Sequence, residues 1–132
     1  MKKSFYPVIM TKDLNKEADF FKEIFDFEET FVSDWYISLI SGGFELAIID
    51  MNHETIPKDF RKHSQGIILN IEVDNVDEIY SKIMGKENIS VLLKIKDEDF
   101  GQRHFIIESP GKYLVDIIQV IPPSKNYADN YI

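Results

Sequence analysis

The stretch FGQRHFIIESPGKYLVDIIQ, residues 100–119, decides the fold. It contains two apolar runs, at 105–107 and 114–118, which flank Ser109-Pro110-Gly111. Proline fixes φ and glycine accepts positive φ, so a Pro-Gly pair between two β-rich runs indicates a tight turn. The stretch therefore predicts a β-hairpin that ends the folded part of the chain.

Polar side chains interrupt both strands of this hairpin. Asp116 stands in an aliphatic strand, and a carboxylate is costly to bury, so either its face is exposed or it lines a pocket. Strand alternation puts His104 on the side of Gln102 and Ile106, where it either orients a ligand or plays no functional part. For Arg103 we expect a structural ion pair with Glu108 or Asp116.

The rest of the chain repeats one order of elements. A helical apolar stripe follows each of two N-cap residues, Asp13 and Asn75, and each stripe lies between strand candidates. The first set of strands is predicted at 5–11, 27–33, 35–40 and 44–49, and the second set at 66–73, 89–95 and the closing hairpin, after a charged turn at 96–99.

This repeat predicts an α+β fold of two βαβββ modules, residues 1–58 and 64–121, in which curved mixed sheets form one cleft. A polar linker, residues 51–65, joins the modules and contains His53 and His63, which are expected to be solvated rather than metal-bound. Residues 122–132 form a polar tail, expected to be loose unless a partner subunit holds it.

Composition narrows the classes of function. A chain of 132 residues with 44% hydrophobic content predicts one globular domain. The net charge of −8 argues against nucleic acid and anionic membranes as partners. There is no cysteine, which excludes a disulfide framework and a thiolate site, and no stretch approaches the roughly 18 apolar residues of a membrane span. We therefore expect a cytoplasmic protein.

The element order, with TKDLNKEADFFKEIFDF at 11–27, GIILNIEVDNVDEIYSKI at 66–83 and the closing hairpin, resembles the vicinal oxygen chelate superfamily. This is the group of glyoxalases, bleomycin-resistance proteins and extradiol dioxygenases. The resemblance extends from about Tyr6 to Pro122. It implies paired modules about a ligand cleft, which often assemble across subunits, so a homodimer is expected.

The resemblance also gives the positions of metal ligands in metal-using members. Two of those positions need a nitrogen ligand or glutamine, and Tyr6 and Ile68 occupy them here. Glu45 and Asp116 fall at or within one residue of the two acidic positions. Two carboxylates without an imidazole would hold a transition metal poorly, so no metal and no cofactor are expected.

Two functions of different class remain open. One is a metal-free protein that binds a small, partly aromatic ligand, as in antibiotic sequestration. The other is a metal-dependent lyase, isomerase or dioxygenase with an atypical metal site. If Glu45 and Asp116 lie close together, the pKa of one of them is expected to be raised. That carboxylate would be the group that pairs with a cationic ligand. The predicted ligand-binding residues are Tyr6, Met10, Trp35, Glu45, Ile68, Asn70, His104 and Asp116.

Overall fold

The computed structural model describes residues 1–132 and confirms an α+β fold of two βαβββ modules. The first module comprises β1 (Val8–Thr11), α1 (Leu14–Phe25), β2 (Glu28–Val32), β3 (Tyr36–Ser41) and β4 (Phe44–Asp50). The second comprises β5 (Ile68–Glu72), α2 (Val76–Met84), β6 (Val91–Glu98), β7 (Gln102–Glu108) and β8 (Leu114–Val120), followed by the short helix α3 (Lys125–Ala128).

Each module forms its own four-stranded mixed sheet. The strand orders are β1-β4-β3-β2 and β5-β8-β7-β6, so corresponding strands take corresponding places. In each sheet the first strand is parallel to the last, and the other pairs are antiparallel. The chain separates into two compact units: unit 1 contains residues 1–66 with 110–112, and unit 2 contains residues 67–109 with 113–132.

In unit 1, helix α1 begins where the sequence predicts it. The Asp13 carboxylate accepts a hydrogen bond from the Lys16 N–H at 3.2 Å, which satisfies a donor that the first helical turn leaves free. Asp26 ends the helix in the left-handed region, with φ of 58°. The helix packs on β3 and β4 and buries its apolar stripe, in which Phe21 is 1% exposed. Burial of one such side chain stabilises the fold by about 2 kcal/mol.

Unit 2 repeats this arrangement around α2. The Asn75 side chain accepts from the Glu78 N–H at 3.3 Å, as its N-cap position predicts. The ring of Tyr80 meets that of Phe105 edge to face, with centroids 4.9 Å apart, so α2 covers the face of β7 that carries Phe105. No helix of the chain is both long enough and apolar enough to cross a membrane.

Strand alternation leaves the opposite face of each sheet without a helix. In unit 1 this face carries Val8, which is 41% exposed. In unit 2 it carries Ile68, which is 53% exposed and pairs with Leu114, and Asn70, which pairs with Asp116. We call these surfaces the open faces of unit 1 and unit 2. They contain most of the residues that the sequence proposes as a site.

Three local predictions differ from the structure. In the closing hairpin Lys112, with φ of 68°, takes the left-handed conformation that was expected of Gly111. Strand β6 continues through the charged residues to Glu98, and the turn follows at 99–101. The tail is folded: Ser124 donates its N–H to the carbonyl of Asp99 at 2.8 Å, and α3 follows.

Candidate functional site

The most tightly organised polar cluster is a chain of three side chains on the open face of unit 2. His104 Nδ1 lies 2.8 Å from Asp116 Oδ1, and His104 Nε2 lies 2.9 Å from Glu98 Oε2. His104 is 5% exposed and Asp116 is 8% exposed. The second oxygen of Glu98 lies 3.1 Å from the ammonium group of Lys96 at the protein surface. We call Asp116, His104 and Glu98 the histidine network.

The hydrogen bonds determine the charge of the histidine network. An ionised carboxylate only accepts, so when Asp116 and Glu98 are both ionised the arrangement favours an imidazolium that donates from both nitrogens of His104. Burial alone would lower the pKa of His104, but the hydrogen bonds to Glu98 and Asp116 outweigh burial, and the pKa lies above its ordinary value of 6.5. Two carboxylates and one imidazolium carry one net negative charge, which the Lys96 ammonium beside Glu98 offsets at the surface, so the buried carboxylate of Asp116 is the negative group furthest from that ammonium.

The two carboxylates of the network respond in opposite directions. Burial raises the pKa of Asp116, although the hydrogen bond to His104 opposes that effect. The hydrogen bonds from His104 and Lys96 lower the pKa of Glu98, which stands nearer the solvent. The predicted rise at Asp116 thus has burial as its main cause, and the carboxylate that adds repulsion is Glu98.

Arg103 faces away from this network, and the prediction of its partners is wrong. Its guanidinium binds Asp77 through two hydrogen bonds, of 3.1 and 2.8 Å, and Asp97 through one of 2.9 Å. Arg103 stands one residue from His104, so strand alternation turns it towards α2, which carries Asp77. Asp116 lies on the other face and is out of its reach.

The open face of unit 1 carries a second group of candidates. Burial raises the pKa of Tyr36, and the neighbouring phenol of Tyr6 raises it further. Met10 is half-buried and lies in register with Ile49, which pairs with Tyr36 on the other side. Glu45 is exposed near the start of β4. The structure thus gathers Tyr6 and Met10 around Tyr36 and leaves Glu45 at the margin.

Trp35 extends this group towards the loop after β4. Its indole stacks on the imidazole of His53, with centroids 3.7 Å apart and planes 8° apart, and meets Tyr36 edge on at 5.6 Å. The Nδ1 atom of His53 accepts the Thr55 N–H at 3.3 Å, which fixes the ring. His53 was expected to be solvated and instead packs against an aromatic ring.

Comparison with known proteins identifies the family. Residues 4–121 match the family model of the glyoxalase-like domain, which is most of the chain. The chain belongs to the glyoxalase-like family. The predicted resemblance to the vicinal oxygen chelate superfamily is therefore confirmed. No curated protein sequence matches the chain.

Solved structures agree with this assignment at the level of the fold. The glyoxalase-like chain is similar to a glyoxalase/bleomycin resistance protein/dioxygenase family enzyme from Burkholderia phytofirmans PsJN, with a TM-score of 0.75, 16% identity, and coverage of 88% of this chain and 97% of that one. TioX from Micromonospora sp. ML1 is similar with a TM-score of 0.74 and 13% identity, and the match covers 91% of this chain and 100% of that one. Lactoylglutathione lyase from Agrobacterium tumefaciens is similar with a TM-score of 0.70 and 16% identity, and the match covers 89% of this chain and 94% of that one.

At the two positions that the resemblance gives for a nitrogen ligand or glutamine, this glyoxalase-like domain has side chains that suit a transition metal poorly. Ile68 has no donor atom, and a phenol such as Tyr6 ligates this class of metal poorly. Both nitrogens of His104 are hydrogen-bonded to carboxylates, so the imidazole would have to give up one of these bonds to ligate an ion. No group of three or more His, Asp or Glu side chains is arranged to hold a metal ion.

Sequence reasoning missed Glu98, which completes the histidine network. The residues 96–99 were assigned to a turn, which would have placed Glu98 outside any sheet. In the structure the turn lies at 99–101, and the strands therefore pair Glu98 with Gln102 and Lys96 with His104. A glutamate beside that pair lies within reach of the imidazole across the two strands.

Proposed function

We propose that this glyoxalase-like protein works without a metal and binds a small, partly aromatic organic ligand. The histidine network carries this proposal. It places a buried carboxylate, that of Asp116, next to the exposed side chain of Ile68 and the amide of Asn70. A desolvated carboxylate gains from a charged or hydrogen-bond-donating partner, so the ligand is a cation or a donor.

The open face of unit 1, taken by itself, offers contacts to an aromatic ligand. Tyr6, Tyr36 and Trp35 form one connected group, and Tyr6 is 42% exposed. Rings that are partly open to solvent offer stacking and edge contacts to a planar ligand, with about 1 kcal/mol gained for each well-placed pair. The few polar groups beside an apolar surface fit the usual make-up of a small-molecule site.

Binding without turnover is the function that the histidine network favours. A general acid or base must exchange a proton with the substrate, and both nitrogens of His104 are already hydrogen-bonded to Asp116 and Glu98. The imidazole is thus held as a fixed counter-ion between two carboxylates. We infer a role in sequestering a compound such as an antibiotic.

A thermal-shift screen of planar aromatic cations tests this function. We expect at least one to raise the melting temperature of the wild type. Asp116→Asn should weaken that ligand about tenfold, because it removes the negative charge and keeps an acceptor for His104. For a ligand of the unit 1 open face, Tyr6→Ala should weaken binding about threefold through the loss of an aromatic contact.

Glu23→Gln, on the outer surface of α1, serves as the matched control and should bind like the wild type. If no cation stabilises the wild type, or if both site variants bind unchanged, the ligand site lies elsewhere. Elemental analysis of the purified protein gives an independent check. About one transition metal per chain, lost in Asp116→Asn, would favour the metal-dependent enzyme instead.

We also propose that the protein is a cytoplasmic homodimer. Strand β2 is an edge strand with five exposed residues, and it carries Phe31 and Val32 at 53% and 57% exposure. An edge of this kind offers both unpaired backbone groups and apolar area to a second copy.

Sedimentation equilibrium at micromolar concentration should give twice the chain mass of 15.4 kDa, and Phe31→Lys should shift the population towards monomer. A wild type that sediments only as monomer contradicts the proposal.

A further inference from the structure

The end of the chain folds back onto the turn between β6 and β7. Ile121 donates its N–H to the carbonyl of Gly101 at 3.0 Å, and Ser124 donates to that of Asp99 at 2.8 Å. These bonds fix the start of the C-terminal tail, residues 122–132. The tail therefore has a definite position next to the strand ends that carry Glu98 and His104.

One phenol of the tail occupies a site of definite shape. The Tyr131 hydroxyl donates a hydrogen bond to the backbone carbonyl of Phe100. Gly101 leaves the space for that hydroxyl, because a Cβ there would lie 2.9 Å from Tyr131 Oη. Gly101 also has a φ of 108°, which residues with a Cβ atom rarely adopt. The Phe100 carbonyl accepts a hydrogen bond and Gly101 leaves room beside it, so this site suits a phenolic hydroxyl.

Aromatic rings connect this site to the histidine network. The ring of Tyr127 meets that of Phe100 edge on, with centroids 6.2 Å apart. The ring of Phe100 meets the imidazole of His104 in the same way at 6.4 Å. A ring bound beside Phe100 is therefore one side chain away from the buried imidazolium.

The tail is held lightly compared with the rest of unit 2. Helix α3 buries none of its residues, and Tyr127 and Tyr131 remain 40% and 59% exposed. The hydroxyl of Ser124 is buried without a hydrogen-bond partner, which works against the docked position. A segment with so little buried surface exchanges readily with a competing group.

We propose that Phe100 and Gly101 form a phenol-binding subsite of the ligand site, and that Tyr131 is its internal occupant. The ligand then carries a phenolic hydroxyl, which displaces Tyr131, donates to the Phe100 carbonyl and places its ring beside Phe100 and His104. This inference rests on the proposed function and specifies the chemical class of the ligand. It makes the tail a competitor whose effective concentration is millimolar, as is usual for a short tether.

The test is an NMR titration of the full chain with p-cresol, followed at the amides of Gly101 and Ile121. Tyr131→Ala removes the internal competitor, and we expect it to bind p-cresol about tenfold more tightly than the wild type. Ile132→Ala, one residue further and fully exposed, should behave like the wild type. The probe 4-methylanisole has the same ring without a donor hydroxyl, and it should bind Tyr131→Ala at least fivefold more weakly than p-cresol.

Equal affinity of p-cresol for the wild type and Tyr131→Ala would overturn the competition, and equal affinity of the two probes would overturn the role of the hydroxyl. Tyr131→Phe keeps the ring and removes only the hydroxyl, so it should bind p-cresol more tightly than the wild type; no gain contradicts the proposal. Failure here combined with binding of planar cations would reject the phenol subsite alone. Failure of the cation screen would reject the proposed function independently of the tail.

Discussion

Replacing His104 with alanine is expected to lower the free energy of unfolding by about 3 kcal/mol. The substitution removes the only side chain that hydrogen-bonds both Asp116 and Glu98 across the two strands. Asp116 would remain 8% exposed in a site where burial already raises its pKa. A buried charge that loses its partner costs more than the pair gained on formation, so the effect is large for a single residue.

Urea denaturation of the wild type and His104→Ala at pH 6 measures this loss. Lys96→Ala is the matched control, because it removes the other cation of the cluster from a side chain that is 51% exposed, and it should cost under about 1 kcal/mol. The double variant His104→Ala, Asp116→Leu should recover part of the loss, since it no longer buries a lone carboxylate. A loss for His104→Ala no greater than that for Lys96→Ala would contradict the buried network.

The stability of the protein should fall as the pH rises from 6.5 into the alkaline range. The pKa of His104 in the folded chain lies above its ordinary value of 6.5, so folding strengthens proton binding. Such a group contributes its full stabilisation below pH 6.5 and loses it as the pH rises through the folded pKa. Each pH unit between the two pKa values is worth about 1.4 kcal/mol.

At acidic pH the stability has no single trend, because the pKa shifts of Asp116 and Glu98 change it in opposite directions. The raised pKa of Asp116 means that its ionised form destabilises the fold, and acidification towards 3.8 relieves that cost. The lowered pKa of Glu98 means that its contribution is lost as the pH falls below 4.5. The alkaline limb is therefore the one that reports on His104.

Denaturation at pH 6, 7, 8 and 9 should show this decline in the wild type, and His104→Ala should show a flatter profile over the same range. An NMR titration of the His104 imidazole should give a midpoint above 6.5. A midpoint below 6.5, or the same pH profile in both proteins, would show that burial outweighs the two hydrogen bonds.

Sequence reasoning succeeded where the signal is local. The N-caps at Asp13 and Asn75 and the helical stripes behind them depend on residues within a few positions of one another, and both helices begin as predicted. The repeated element order then fixes the two modules and the family. Alternation also placed His104 on the correct side of β7, since the face of a residue depends only on its parity along the strand.

The contents of the site depend on strand register and on distant contacts, which no local pattern reveals. Glu98 reaches His104 only because β6 runs past the charged residues assigned to a turn. Arg103 found Asp77 on α2, 26 positions away in the sequence. His53 stacks on Trp35 through the path of the loop after β4, and the positive φ of Lys112 follows from the geometry of a turn whose composition favoured Gly111.

The stack of Trp35 on His53 has a practical consequence, because Trp35 is the only tryptophan of the chain. All indole emission of the protein therefore originates at one point, between His53 and the ring of Tyr36. Fluorescence excited at the red edge of the indole band reports on the surroundings of Trp35, which include the ring of Tyr36. The protein thus carries a built-in optical probe of its unit 1 open face, and an aromatic compound that settles there changes the signal without any label.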